Sequence, residues 1–328
     1  MEWNRRSMIG LLGATAALPI RLMAQDAMAK TAAKVTLLGT AGGPPAHVGR
    51  SQPASLLQIA GKAYLIDAGE NVGQQLARAD VVASKVNATL LTHLHWDHTL
   101  GLDYLMATGW MRGRRTPMPI WGPPGTDLLV GRTLQAIGVG EAIFRAQADK
   151  RPPLASLYPA REVDVDAPRQ LFDDGTVKVS AIANTHFARI RSAPHAYGID
   201  KAYSYRFETS AGAIIFTGDT GPSERLAGFA KGAALMVAEI VDLSSMEAAL
   251  EAAGSKGEEL HILMQHMEHQ HLTADALGQL AAQAGVKKLA LSHYVMGRDF
   301  NPADFVAPLR RHFSGEIIVG EDLAVIPL

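Results

Sequence analysis

Short apolar runs bounded by glycine and polar residues govern what this chain can fold into. VTLLG, SLLQIA, AYLID and ATLLTH, and later VKVSAIAN, YSYRFET, AIIFTGD, LMVAEI, LALSHY and EIIVG, have the length and flanks of buried strands. Strands outnumber helices in the first third, where SLLQIAGKAYLIDAG reads as a hairpin around Gly61 and Lys62. Helical stretches separate most later strands, so the pattern predicts an α/β protein of two mixed sheets covered by helices rather than one doubly wound sheet. One helix is well marked. Leu277, Leu280, Ala281 and Ala284 recur at helical spacing, Thr273 stands at the cap and Gly285 at the end. The strand that follows delivers His293 at its C-terminal end. Residues 140–170, rich in proline and charge, read as an exposed excursion.

Composition narrows the chemistry. The chain has 328 residues, 48% apolar and 19% charged, with formal net charge -1, which is ample for a large core. There is no long basic run beyond the small cluster Arg112, Arg114 and Arg115, so nucleic acid is not the expected partner. With no cysteine, disulfides are excluded, and any metal must be held by imidazole and carboxylate.

The N-terminus has the form of an export signal. Arg5 and Arg6 precede an uncharged stretch from Met8 to Ile20, and the small-residue site Ala27-Met28-Ala29 follows. This reads as a cleaved twin-arginine signal peptide over residues 1–29, with a single catalytic domain over 30–328. The apolar stretch is too short to span a bilayer, so no stable membrane insertion is expected. The expected location is the periplasm or the exterior.

In LLTHLHWDHTLGL, His93, His95, Asp97 and His98 fall where a strand hands over to a helix. Alternate residues of an extended segment project to one side, so His93 and His95 can grip one ion, while Asp97 and His98 in the turn can reach a second. Neutral imidazole beside carboxylate suits zinc, manganese or iron.

THLHWDHTLGL resembles the signature of the metallo-β-lactamase superfamily, and the similarity extends over nearly the whole chain after the leader. LLGTAGGPP is similar to the first strand and turn of the tRNase Z-like branch, and YLIDAGENVGQQL to its next strand, turn and helix. The resemblance implies a four-layer αβ/βα sandwich and a dinuclear metal site. NTHF supplies His186, FTGDTGP supplies Asp219 and LSHY supplies His293. One ion is implied between His93, His95 and His186 and a second between Asp97, His98 and His293, with Asp219 bridging both. Two divalent ions, foremost zinc, would share a hydroxide as the nucleophile. Asp67 would orient a metal-bound imidazole from behind. His271, in HLTADAL, resembles the H-x-T-A segment of the branch, which implies a general acid for the leaving group; Asp97 would orient the nucleophile. His47 and His195 read as surface or substrate-edge groups, and Trp96, Tyr294 and Met296 as possible walls of the pocket.

The implied reaction is metal-assisted hydrolysis of an ester bond. True β-lactamases lack the bridging aspartate and many use a cysteine, so FTGD and the missing cysteine point away from antibiotics. No long basic or glycine-rich arm for an acceptor helix is visible, and an exported protein would not meet precursor tRNA. The expected substrate is therefore a small anionic ester, an aryl sulfate or a phosphodiester, held by Arg112, Arg114, Arg115, Arg189 or Arg191. Alternatives are a quorum-quenching lactone hydrolase and a tRNA 3′-processing nuclease; a non-catalytic binder would be expected to lose ligands that are all present here. Dimers are common in the resembling branch, so a homodimer is an expectation.

Overall fold

The hairpin forms two residues wide. Strands β2 (Ala54–Ile59) and β3 (Lys62–Ile66) pair antiparallel, and the turn between them, Ala60 and Gly61, takes positive φ at both positions (49° and 76°). That turn twists in the sense the strands need, and Lys62 is already in the ladder, paired with Ile59. The structure is a computed structural model that describes residues 33–147, 150–188, 193–297 and 300–328. The expected leader, residues 1–29, lies outside the described residues, as do Arg189 and Arg191.

Two seven-stranded sheets result. In the first, β1 (Lys34–Gly39), β2 and β3 run antiparallel. From β3 the sheet continues in parallel through β4 (Ala88–Leu90), β5 (Ile120–Gly122) and β6 (Ala160–Glu162), and β14 (Ala324–Pro327) closes the other edge. The second runs antiparallel through β7 (Arg169–Asp173), β8 (Lys178–Ala183), β9 (Tyr203–Thr209) and β10 (Gly212–Phe216). It then runs parallel through β11 (Leu235–Val241), β12 (Lys288–Val295) and β13 (Glu316–Val319).

Alternation along each strand builds three apolar layers. Val35, Leu57 and Ile66 of the first sheet meet Tyr205, Phe216 and Val237 of the second in the central core. The opposite faces, Leu38, Leu56 and Leu65, lie under α1 (Val72–Arg78), α3 (Leu102–Met111) and α4 (Thr126–Arg145). Ile215, Met236 and Ile240 lie under α6 (Glu224–Phe229), α9 (Ala274–Ala284) and α10 (Pro302–Arg310). The expected four-layer sandwich is thus what forms. Each fully buried Leu or Ile contributes about 1.5–3 kcal/mol. The marked helix, α9, starts where expected: Thr273 accepts the Ala276 N–H at 3.3 Å, and Gly285 ends it at φ 62°.

The excursion expected over 140–170 is only partly one. It holds the last turn of α4, a short helix α5 (Leu154–Leu157) and β6, and Leu154, Leu157 and Tyr158 are buried in the outer core. The Tyr158 hydroxyl donates to Met106 O at 2.6 Å, which ties the segment to α3. One charged-patch expectation also changes. Arg114 is buried, its guanidinium donating to Ala83 O and Val86 O at 2.9 and 2.7 Å, so it braces a turn rather than holding a substrate. Among the described residues no helix is long and apolar enough to cross a membrane.

Candidate metal centre and active site

Strand ends of both sheets converge on one cleft. After β4 the chain passes Thr92 and His93 to His95, and α2 (Trp96–Thr99) carries Asp97 and His98. His186 follows β8 and Asp219 follows β10. His293 sits within β12, where the ladder slips: Ala238 pairs with Leu291 but Ile240 with Tyr294, so Ser292 and His293 stand opposite Glu239 alone. His293 takes φ 46° in this bulge, which turns its ring into the cleft.

The ring nitrogens form two groups. His93 Nε2 lies 2.9 Å from His95 Nδ1, which lies 3.3 Å from His186 Nε2. His98 Nε2 lies 3.1 Å from His293 Nε2, and Asp97 Oδ2 lies 3.5 and 3.3 Å from these two nitrogens. Asp219 stands between the groups. Its Oδ1 is 3.4 Å from His98 and 3.2 Å from His293, and its Oδ2 is 3.9 Å from His93. The seven residues expected as ligands are therefore brought together.

What lies behind the rings decides where their lone pairs point. His98 Nδ1 donates to Asp67 Oδ2 at 2.9 Å, and His186 Nδ1 donates to Gln270 O at 3.0 Å. Each has its Nε2 left as an acceptor facing the cleft. Asp67 also accepts from Thr92 N at 2.7 Å, so one carboxylate fixes both the loop and the ring. Asp97 Oδ1 and Asp219 Oδ1 are buried and take no hydrogen bond. Converging lone pairs and orphaned carboxylate oxygens, two of them buried, are a poor arrangement for protons and a good one for divalent cations.

The electrostatics differ between the two groups: against burial, Asp219 raises His98 and His293 of the second, while the first stays neutral. Burial holds His93 well below its ordinary pKa and His186 down at about 3, so both are neutral ligands at pH 7. Burial would raise the Asp219 carboxyl, but His293 and His98 around it hold it well below the carboxylate range.

The one functional residue that the sequence reading missed is Glu239. Leu235 and Val237 face the central core, and the same alternation aims Glu239 inward at the end of β11. Its Oε1 accepts Thr220 N–H and its Oε2 accepts His271 Nδ1–H, both at 2.6 Å. A lone charge in the buried run LMVAEIV was the available signal, because such a group needs a partner. His271 caps the C-terminus of α8 (Gly257–Gln270). Burial works against its charge, but Glu239 outweighs burial and lifts its pKa to about 9. Of the other expected neighbours, Tyr294 is fully buried behind the cleft, Trp96 projects to solvent, and His195 pairs with Asp200 at the rim.

A family model described as a Beta-lactamase superfamily domain matches residues 62–294. Ribonuclease Z of Mycolicibacterium paratuberculosis is 29% identical over 296 residues, 88% of this chain and 96% of the relative. The metallo-beta-lactamase fold protein YhfI from Bacillus subtilis superposes with TM-score 0.62 and 19% identity, over 90% of this chain and 100% of that one. Human tRNase Z, short form, gives 0.59 and 22%, over 89% and 98%. At such identities the two structures speak for the fold alone.

These findings overturn two expectations. Nucleic acid cannot be set aside as a partner, because the relative that matches 88% of the chain is a ribonuclease. The missing arm and the near-neutral net charge were weak grounds, since neither reports where cations gather in the fold. A periplasmic or secreted location does not stand either, because the relatives matched over 88% of the chain are ribonuclease Z enzymes.

Proposed function

The chain belongs to the beta-lactamase superfamily, and from that premise we propose that it is a metal-dependent phosphodiesterase of the ribonuclease Z kind, hydrolysing a phosphodiester bond in nucleic acid. The observation that carries this reading is the Glu239–His271 pair beside the donor set, because an alkoxide leaving group, unlike a phenolate, needs a proton. Of the two ester classes expected from the sequence, aryl sulfate and phosphodiester, the relatives favour the phosphodiester.

In this reading His93, His95 and His186 hold one divalent ion and Asp97, His98 and His293 a second, with Asp219 between, zinc suiting such a set. Bound there, the ions would supply Lewis acidity, lowering the pKa of water and offsetting charge on phosphoryl oxygens. Asp97 orients the attacking water through Oδ1, which no hydrogen bond occupies, while Oδ2 is fixed by Gly43 N–H at 3.1 Å. His271 keeps Nδ1 on Glu239, so its Nε2 carries the proton that passes to the leaving oxygen as the P–O bond breaks. Glu239 is a positioning residue, acting through His271.

The test is a parallel rate assay of the metal-loaded protein on an RNA with a 3′ extension, a bis-aryl phosphodiester, an aryl sulfate and an acyl-homoserine lactone. The expected result is turnover of both phosphodiesters. Preference for the sulfate or the lactone would refute the proposal.

A further inference from the structure

On the outer face of the second sheet, beside α6, lies an open cleft of about 600 Å³ that the chemistry above does not use. This falls within the range of about 300–1,000 Å³ common for ligand sites. Its walls carry Arg169, Arg206, Arg225 and Lys231, with the polar side chains of Gln170 and Ser180 on its floor and no acidic residue in its lining. The register explains the gathering: Gln170 pairs with Ser180 and Ser180 with Arg206 across β7, β8 and β9, while α6 supplies Arg225 and the turn after it Lys231.

Three nearby acids are already engaged. Asp164 and Asp166 pair with Lys201, and Glu208 pairs with Arg206 Nε at 2.6 Å. Arg206 Nη1 is held by Phe229 O and Lys231 O at 2.9 and 3.2 Å, which fixes the guanidinium on the wall. Among the described residues, no ion pair or hydrogen bond is recorded for the exposed side chains of Arg169 and Lys231. A fixed guanidinium flanked by unengaged cations is the arrangement that receives phosphates.

The cleft is also joined to the reaction site. Ser180 and Ile182 line it, and the same strand leads from Ile182 to His186 in four residues, at most about 14 Å when extended. That is some four charges along one strand of a duplex at about 3.4 Å each. Arg225 likewise follows Asp219 by six residues.

We propose that this cleft binds the phosphate backbone of the RNA substrate away from the scissile bond. The proposal rests on the nucleic-acid reading of the reaction site, and it would take the place of a separate basic arm.

The test is a titration of metal-loaded protein with a fluorescein-labelled RNA stem-loop across salt concentrations, comparing wild type with the double variant Arg169→Ala, Lys231→Ala. Loss of two phosphate contacts lowers the slope of log affinity against log salt by about 1.4 to 1.8 and weakens binding about tenfold or more at low salt. The variant carrying Arg169→Lys with wild-type Lys231 keeps the slope. Turnover of bis(p-nitrophenyl) phosphate stays unchanged in all variants, since neither residue belongs to the reaction site. An unchanged slope and affinity in the double variant would overturn the proposal, as would equal wild-type affinity for phosphatidylserine vesicles or polyglutamate. If wild type turned over no phosphodiester, the catalytic reading would fail while the RNA titration still reported on the cleft.

Discussion

Replacing Glu239 by Gln separates a working acid from a merely buried histidine. The carboxylate accepts two N–H groups at 2.6 Å, from Thr220 and from His271, and it is buried. Glutamine has one acceptor oxygen and one amide donor, so it cannot accept both N–H groups: either one of them faces an NH2, or the proton leaves His271 Nδ1. A buried donor without an acceptor costs about 1–3 kcal/mol, so the variant folds with a lower Tm. The larger effect is on charge. Glu239 is the leading influence that raises His271 to about 9 against its burial. Without it the imidazole returns toward its ordinary value of about 6.5 or below, a fall of about 2.5 pH units. An acid must be protonated to act, and its activity is lost as pH rises through its pKa. The alkaline limb of the rate profile should therefore move to lower pH in the variant. At pH 8 the protonated fraction drops from about nine-tenths to about 3%, a loss of about 30-fold in kcat/KM, whereas at pH 6 the loss from this source is under about twofold. The assay is kcat/KM against pH on RNA and on a p-nitrophenyl phosphodiester, whose leaving group needs no proton. An alkaline limb that stays at its wild-type position, or equal losses on both substrates at every pH, would refute the reasoning.

Three further changes probe the frame around the site. Asp67→Ala removes the acceptor shared by Thr92 N and His98 Nδ1, and metal affinity should fall about 10–100-fold, read by competition with a chelating dye. Gly69→Ala would set a Cβ 2.3 Å from Asp97 O, so the ligand loop must shift; expected are a drop in Tm and weaker metal binding, and an unchanged crystal position of Asp97 would contradict this. Arg114→Met should destabilise by about 2–4 kcal/mol in denaturant unfolding, since it frees two buried carbonyls, while KM for a small phosphodiester stays at its wild-type value.

Much of this was legible in residue order, because the ligand-bearing turns follow strands whose apolar runs announce them. His93 to His98 are contiguous, and His186, Asp219 and His293 each follow or end such a run. Strands β5, β6, β7 and β14 were not legible. They are three to five residues long, and β6 and β7 are largely exposed edges whose side chains carry little apolar pattern. Proline and charge over 140–170 concealed Leu154, Leu157 and Tyr158, which become core only once α3 lies beside them. Glu239 was hidden for a similar reason, since its partner stands 32 residues away on another element. The cations at 169, 206, 225 and 231 are scattered in sequence, and only the register of β7 to β9 together with the packing of α6 assembles them.

The most direct test of the central claim is to count metal ions per chain in wild type and Asp219→Ala and to follow RNA hydrolysis by both. The account predicts two ions and phosphodiester turnover in wild type, with at least one ion and the turnover lost in the variant. A variant that kept both ions and full activity, or a fully loaded wild type that cleaved no phosphodiester, would contradict it.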